Sequence, residues 1–260
     1  MFRLLKIFTT FADPIAVILE RLGVMGYWVR GMRGVEIFRV KLRGGIRISC
    51  RLGTNDAKNV YDIFAANKYE PEDLPFFKVR KGWVVVDIGA GIGCFTIRAF
   101  QLGAALVRAF EPIKQNYRLL WSNCGSNGFA AELFPQAVGS EYGRTTIRKN
   151  SGDHQLAQTV ELERAIKVQQ GVCVDLLKIS IKGGEFAIFD SLKQGELDNV
   201  KRIIVEYHNS EAQGFDHERI KAKLWDEGFQ VWDRPRRDRK SKTESTGLIF
   251  AYRPAWRGNG

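Results

Sequence analysis

The sequence predicts an α/β fold: helices cover both faces of a doubly wound, mostly parallel seven-stranded sheet that ends in an antiparallel hairpin. Two observations carry this prediction. From Trp83 onward, short β-branched runs alternate with helical stretches, the pattern of parallel strands joined by crossover helices. The segment 84–96 contains a complete strand, a glycine-rich turn and the start of a helix, which is the repeating unit of such a sheet.

An N-terminal extension precedes this sheet. The first thirty residues are apolar but interrupted by charges, which predicts two short amphipathic helices rather than a spanning helix or a signal peptide. These helices either cap the main domain or lie in a membrane interface. A hairpin is expected from the runs 35–40 and 45–49, and a helix over 56–67. We divide the chain into the extension 1–68, a main domain 69–254 and a tail 255–260.

The strands of the main sheet follow in order. We expect them at 84–88, 106–110, 132–138, 175–181, 201–207, 229–233 and 247–252. A small added strand is expected at 145–148. The last two main strands flank a basic run and form the terminal hairpin.

The glycine-rich turn indicates a ligand site. Asp87 ends the first strand, and Gly89, Gly91 and Gly93 follow at every second position before the helix opens at Phe95. Such a turn presents backbone N–H groups and the positive end of a helix dipole, and glycine lets a ligand lie against the main chain. Dinucleotide-binding turns space their glycines G-x-G-x-x-G, so the earlier third glycine disfavours a nicotinamide cofactor.

A second acid supports the same site. Glu111, followed by Pro112, ends the next strand 24 residues after Asp87. A carboxylate at that place can accept hydrogen bonds from both hydroxyls of a ribose. Asp87 itself either contacts the ligand, directly or through water, or only orders the glycine turn.

Charge and cysteine content limit the remaining functions. The net charge is +11; residues 1–50 carry net +6 and residues 234–242 carry net +5. These two patches either give solubility or contact phospholipid, anionic glycan or nucleic acid. The four cysteines form no C-x-x-C pair and the three histidines form no H-E-x-x-H, so neither a disulfide framework nor a zinc site is indicated. We expect a cytoplasmic protein, with peripheral membrane contact as a further option.

Several segments, in this order, resemble one family. They are Lys68-Tyr69-Glu70-Pro71, the glycine turn, Phe110-Glu111-Pro112, the helix positions Asn116, Leu119 and Asn123, Ala137-Val138-Gly139, Asp175-Leu176-Leu177-Lys178-Ile179 with Gly183-Gly184-Glu185, and Val205-Glu206-Tyr207-His208. Over residues 55–252 the chain resembles the FkbM family of S-adenosylmethionine (SAM) methyltransferases. The resemblance implies a Rossmann-like fold, SAM as cofactor, and methylation of a hydroxyl on a sugar, glycan or other natural product.

The residues and the resemblance together give a candidate cofactor site. Its expected members are Asp87, Gly89, Ala90, Gly91, Gly93, Phe95, Glu111, Pro112, Asn116, Ala137 and Ser180. The family has an acid where this chain has Ser180, and a second acid where it has Lys182. Cofactor binding is therefore better supported than turnover.

Three residues are candidates for catalysis, because an alcohol acceptor needs a base to remove its proton. Glu206 and His208 end the fifth strand and point to one face, and Glu185 begins the helix after the fourth. They either act as a base pair or partial metal ligands, or Glu206 orders a loop and His208 is a surface residue. His154 and His217 are placed in loops and are not favoured, and no metal site is assigned.

Two rival functions stay open beside this hypothesis. The positive charge also suits an RNA methyltransferase, although no Asn-Pro-Pro-Tyr motif occurs. Ser180 and Lys182 also suit a non-catalytic SAM-binding or scaffold protein. The acceptor pocket is expected in the segments 30–80, 140–172 and 234–246, whose sequences do not identify the acceptor.

Overall fold

The computed structural model describes residues 27–32, 35–148, 152–210, 213–236 and 244–254. The chain begins with a three-stranded antiparallel sheet formed by β1 (Tyr27–Met32), β2 (Val35–Lys41) and β3 (Arg47–Arg51). Helix α1 (Asp56–Phe64) and a short 3-10 turn (Pro75–Phe77) lead to the central sheet. The predicted hairpin is confirmed.

The central sheet has the predicted seven strands. They are β4 (Val84–Ile88), β5 (Leu106–Phe110), β6 (Glu132–Phe134), β10 (Leu176–Ile179), β11 (Arg202–Ser210), β12 (Gln230–Arg236) and β13 (Glu244–Tyr252). The spatial order is β12-β13-β11-β10-β4-β5-β6. β13 alone runs antiparallel to its two neighbours, which confirms the mostly parallel α/β fold with a terminal hairpin.

A second small sheet is inserted after β6. It consists of β7 (Ala137–Gly139), β8 (Gly143–Arg148) and β9 (His154–Glu161), in the order β7-β9-β8. The helices are α2 (Cys94–Gln101), α3 (Lys114–Ser126), α4 (Leu162–Ile166), α5 (Gly184–Ser191) and α6 (His217–Asp226). Among the described residues, no helix is both long and apolar enough to cross a bilayer.

Side chains that alternate along the central strands belong to two apolar clusters, one on each face of the sheet. Val85 and Leu176 belong to the first cluster, which also contains Ile48 of the N-terminal hairpin. Val86 and Leu177 belong to the second, which packs against α5 and α6. Burial on both faces explains why these strands are continuous β-branched and leucine runs.

Several predicted boundaries were wrong. The strand expected at 132–138 is two strands, because Pro135 has no N–H to donate to a sheet; Ala137–Gly139 instead pairs with β9. The segment 27–30 is a strand rather than part of a helix, and residues 1–26 lie outside the described chain, as does 237–243 of the basic loop. His154 and His217 are not in loops: they begin β9 and α6 respectively.

The sheet direction sets the position of the site. β4, β5, β10 and β11 run parallel, so their carboxyl ends meet at one edge. The glycine turn, Glu111 and Ser180 follow directly on three of these ends. β11 continues past β10, and Glu206 lies where β11 passes the end of its neighbour.

Candidate active site

A cleft opens at the carboxyl edge of β4, β10 and β11. One wall is α1 with the segment after it, and the other is the glycine turn with the strand ends. The lining residues are Asn59, Asp62, Ile63, Lys68, Tyr69, Gly89, Ala90, Gly91, Ile92, Cys94, Phe95, Lys178, Ser180 and Glu206. The cleft thus brings together four predicted cofactor residues of the turn and helix, Ser180, and one predicted catalytic residue, Glu206.

The three glycines of the turn have different roles. A Cβ on Gly89 would lie 2.1 Å from the carbonyl oxygen of Ser180, and a Cβ on Gly93 would lie 2.7 Å from the Leu120 side chain. These two glycines therefore permit close packing within the protein. Gly91, with φ of +60°, has no atom within 4 Å of a Cβ position, so its open side faces free space where a ligand can lie.

Three backbone amides at the start of the turn are already used by the protein. Gly89 and Ala90 both donate to the carbonyl oxygen of Phe110, and Gly91 donates to Glu111 Oε2 at 2.8 Å. The glycine spacing predicts that these N–H groups face a ligand. Instead they fasten the turn to the end of β5, because the two parallel strands end side by side.

Glu111 is held in a rigid position. It is buried, and it accepts hydrogen bonds from the Gly91 and Ile113 amides and from Asn116 Nδ2. Burial raises the pKa of this carboxyl, although those three donors oppose the shift. Asn116 is itself held by Arg51, whose guanidinium also pairs with Asp56. The predicted ribose acceptor is therefore oriented before any ligand arrives.

Asp87 is fully buried, and both of its oxygens are occupied. Thr96 Oγ1 donates to Oδ2 at 2.7 Å, and Lys178 Nζ donates to Oδ1 at 2.9 Å. Lys178 also donates to the carbonyl oxygen of Gly89. These contacts support the interpretation that Asp87 orders the glycine turn.

Ser180 and Glu206 lie side by side across the β10–β11 boundary. Ser180 Oγ donates to Glu206 Oε2 at 2.7 Å, Tyr69 OH donates to the same oxygen at 3.0 Å, and Lys68 Nζ pairs with Oε1 at 2.6 Å. Burial alone would raise the pKa of Glu206. The positive charge of Lys68 and the hydrogen bonds from Lys68 and Ser180 outweigh burial and lower this pKa to about 2. Burial lowers the pKa of Lys68.

The other two catalytic candidates contact each other. Glu185 is fully buried and accepts from the amides of Gly183 and His208. His208 Nδ1 lies 3.1 Å from Glu185 Oε1, and the His208 side chain is 25% exposed. Since a carboxylate only accepts, this contact selects the imidazole with its proton on Nδ1 and leaves the Nε2 lone pair available.

The remaining predicted residues lie around the cleft rather than in its lining. Asn116 acts on Glu111 as described, and Pro112 accepts from Gln155 of β9 through its carbonyl oxygen. Ala137 is buried in β7 of the inserted sheet. Lys182 is exposed and takes a left-handed φ of +51°. The roles of these residues toward a cofactor stay predictions.

Lys68, Tyr69 and Lys178 line the cleft and were not predicted from the sequence. Lys178 had a usable signal, because a lone lysine inside the buried run Leu176–Ile179 requires a charged partner. Lys68 and Tyr69 are separated from Glu206 by more than a hundred residues, and no local pattern reports that contact.

One cluster outside the cleft offers metal-ligand atoms. Among the described residues, His217, Glu218 and Asp233 bring such atoms within 4.8 Å of one another. Lys221 Nζ pairs with Glu218 at 2.7 Å and lies 3.7 Å from Asp233. The lysine ammonium thus already supplies the positive charge that a cation would bring.

Solved structures match this chain at low identity. Trm5b from Pyrococcus abyssi matches with 16% identity and a TM-score of 0.47 over 87% of this chain and 62% of its own. TrmK from M. capricolum, solved with S-adenosylhomocysteine, matches with 10% identity and a TM-score of 0.44 over 68% and 64%. Magnesium protoporphyrin IX methyltransferase from Synechocystis PCC 6803, solved with SAM, matches with 17% identity and a TM-score of 0.42 over 66% and 71%.

The comparison with protein families is more specific. No curated protein matches the chain in sequence. Residues 87–231 match the methyltransferase FkbM domain, and this range covers more than half of the chain. The chain therefore belongs to the FkbM family of methyltransferases, and its cofactor is S-adenosylmethionine.

Proposed function

We propose that the chain transfers a methyl group from SAM to a hydroxyl oxygen of a sugar, glycan or other small natural product. The observation that carries this proposal is the Glu185–His208 pair beside the cleft. An alcohol is a weak nucleophile, so its methylation benefits from a positioned base. A partly exposed histidine, oriented by a buried carboxylate, is suited to that task.

Two features near the cleft support binding of the cofactor's adenosine. Gly91 leaves open space beside the main chain, and Glu111 lies at the end of β5 with its carboxylate oriented by Asn116. These residues would hold the adenosine, with Glu111 accepting from the ribose hydroxyls. When bound, SAM supplies a methyl group on a sulfonium sulfur.

His208 is placed for the acceptor rather than for the cofactor. It follows Glu206 by two residues on β11, so its side chain lies about 7 Å further along the same face. Glu206 lines the cleft, whereas His208 stands beyond it with Nε2 free to accept a proton. Holding the acceptor oxygen in line with the methyl group is the main contribution expected of this site.

The test is an acceptor screen that follows S-adenosylhomocysteine formation. We expect His208→Gln and Glu185→Gln to lower kcat by about a hundredfold or more while SAM affinity stays unchanged. His154→Gln is the matched control, because His154 is exposed on β9, away from the cleft. If His208→Gln turned over at the wild-type rate, the base assignment would be wrong.

A non-catalytic SAM-binding protein remains the second candidate, because Ser180 replaces a family acid. Ser180 carries no charge and donates to Glu206, so this end of the cleft holds one carboxylate rather than two. Wild-type turnover with any acceptor would exclude this candidate. Tight SAM binding without turnover, followed by activity in S180D/K182E, would support it.

We also propose contact with an anionic membrane surface through the β2–β3 hairpin. Arg39, Lys41, Arg43 and Arg47 are all exposed, and Lys41 lies directly opposite Arg47 in the hairpin. Within the described residues, none of the four pairs with an acid. Sedimentation with anionic vesicles should fall when all four are changed to Gln. RNA binding by the same four residues, with no vesicle binding, would favour the nucleic-acid alternative.

A further inference from the structure

The cleft is asymmetric in charge. At one end, Gly91 leaves open space, and the adjacent Glu111 is the hydrogen-bond acceptor proposed for the adenosine. At the other end, the Lys68 ammonium and the Glu206 carboxylate face each other at 2.6 Å, with side chains 10% and 15% exposed. A cation and an anion thus line the same small space beside Gly89.

Asp87 does not compete for a ligand's positive charge. Its two oxygens are taken by Thr96 and Lys178, and the side chain is 0% exposed. Two carboxylates that line the cleft remain, Glu206 and Asp62. The Asp62 side chain is 15% exposed, as is that of Glu206, but Asp62 already pairs with Lys58, a lysine whose side chain is 60% exposed.

From this arrangement we infer that Lys68 and Glu206 recognise the amino-acid end of the cofactor. Lys68 binds the carboxylate and Glu206 binds the ammonium. This inference rests on the cofactor assignment and identifies the side chains that receive that end. The amino-acid end of SAM carries one ammonium and one carboxylate, so each partner of the pair exchanges one ion pair for another, and the sulfonium is a further positive charge outside this exchange. The charge at this end of the cleft stays balanced before and after binding, which avoids leaving Lys68 or Glu206 without an opposite charge.

The two partners differ in how firmly they are held. Glu206 keeps hydrogen bonds from Ser180 and Tyr69 when Lys68 turns away, so its carboxylate stays in place. The hydrogen bond of the Lys68 ammonium among the described residues is the one to Glu206. Lys68 is therefore the partner that moves to meet the ligand carboxylate. Ser180 acts as a positioning residue, because a hydroxyl supports the Glu206 carboxylate where an acid at 180 would repel it.

Two ligands separate this inference from general damage to the site. S-adenosylhomocysteine has the amino-acid end, whereas 5′-methylthioadenosine keeps the adenosine and lacks that end. By calorimetry, we expect Lys68→Met and Glu206→Gln each to weaken S-adenosylhomocysteine at least about tenfold. Binding of 5′-methylthioadenosine should stay within about twofold of the wild type, which also reports that each variant is folded.

Matched variants complete the experiment. The double variant K68M/E206Q leaves no buried charge unpaired and should show the same selective loss. Glu111→Ala should weaken both ligands. Equal loss of both ligands in Lys68→Met, or loss of neither, would overturn the inference while leaving the cofactor assignment intact. A selective loss in Asp62→Asn but not in Glu206→Gln would overturn the role of Glu206. A wild-type chain that bound neither ligand would overturn the inference together with the cofactor site.

Discussion

At the scale of single residues, Gly89 of the turn serves packing, whereas Gly91 leaves space for a ligand. Gly89→Ala would place a Cβ 2.1 Å from a carbonyl oxygen at φ of +78°, whereas Gly91→Ala meets no atom. We expect Gly89→Ala to cost at least about 3 kcal/mol of unfolding free energy and Gly91→Ala about 1 kcal/mol. Gly91→Ala should instead weaken SAM binding, because its methyl group enters the cleft. Urea denaturation and calorimetry measure both effects, and equal denaturation midpoints would contradict the assignment.

Glu111 gives a second prediction at this scale. Glu111→Ala should weaken S-adenosylhomocysteine by about 1.5–3 kcal/mol for each hydrogen bond lost to the ribose. Glu132→Ala is the control, because Glu132 is half exposed and pairs with Arg108 away from the cleft. If calorimetry found unchanged affinity in Glu111→Ala, Glu111 would not belong to the site.

At the scale of secondary-structure elements, α3 joins the N-terminal hairpin to the glycine turn. Asn123 is fully buried on α3; its Oδ1 accepts from the Ser49 amide, and its Nδ2 donates to the carbonyl oxygens of Ser49 and Ile92. Asn123→Ala should cost about 2–4 kcal/mol, because buried backbone groups on β3 and the turn lose their partners. Asn127→Ala, which removes the equivalent bonds to exposed Arg47, should cost less. Comparable losses in urea denaturation would contradict a specific role for Asn123.

At this scale, some elements and contacts could be predicted from the sequence and others could not. The strand at Val84–Ile88 and the glycine turn are encoded locally, by burial on both faces and by backbone conformations that need glycine. The contact between Tyr69 and Glu206 depends on how α1 and the segment after it fold over β11, and nothing near either residue in the sequence reports it. β9 was missed because its residues, HQLAQTVE, do not alternate between apolar and polar, and Leu156 is exposed. Glu185 and His208 were both named as candidates, and their catalytic role stays a prediction; their contact depends on the packing of α5 against β11, which no local pattern reports.

At the scale of the whole molecule, the N-terminal hairpin and the central sheet share one core. Phe38 and Ile48 of the hairpin belong to the same apolar cluster as Val85 of β4 and Ile97 of α2. The Arg51–Asn116–Glu111 chain of hydrogen bonds crosses the same junction. Loss of the hairpin would therefore disturb cofactor binding as well as stability, even though the hairpin does not line the cleft.

The partly buried Lys68–Glu206 pair affects a property of the whole molecule, its stability in acid. The pKa of Glu206 is about 2 in the folded chain, against an ordinary value of 4.5. Because the folded value is the lower one, the stabilisation is fully present above pH 4.5 and is lost as the pH falls from there toward 2. The shift corresponds to about 3 kcal/mol, part of which is offset by the burial that lowers the pKa of Lys68.

Glu206→Gln isolates this contribution, because glutamine cannot titrate. The variant should be less stable than the wild type at pH 6, and the difference in unfolding free energy should shrink steadily as the pH is lowered through the window from 4.5 to 2. Urea denaturation at several pH values measures it. Glu132→Gln serves as the control, because its half-exposed ion pair should give a small difference at every pH. A Glu206→Gln difference that stayed constant across the window would mean that Lys68 does not hold the Glu206 carboxylate ionised. The ion pair assigned to this end of the cleft would then be wrong.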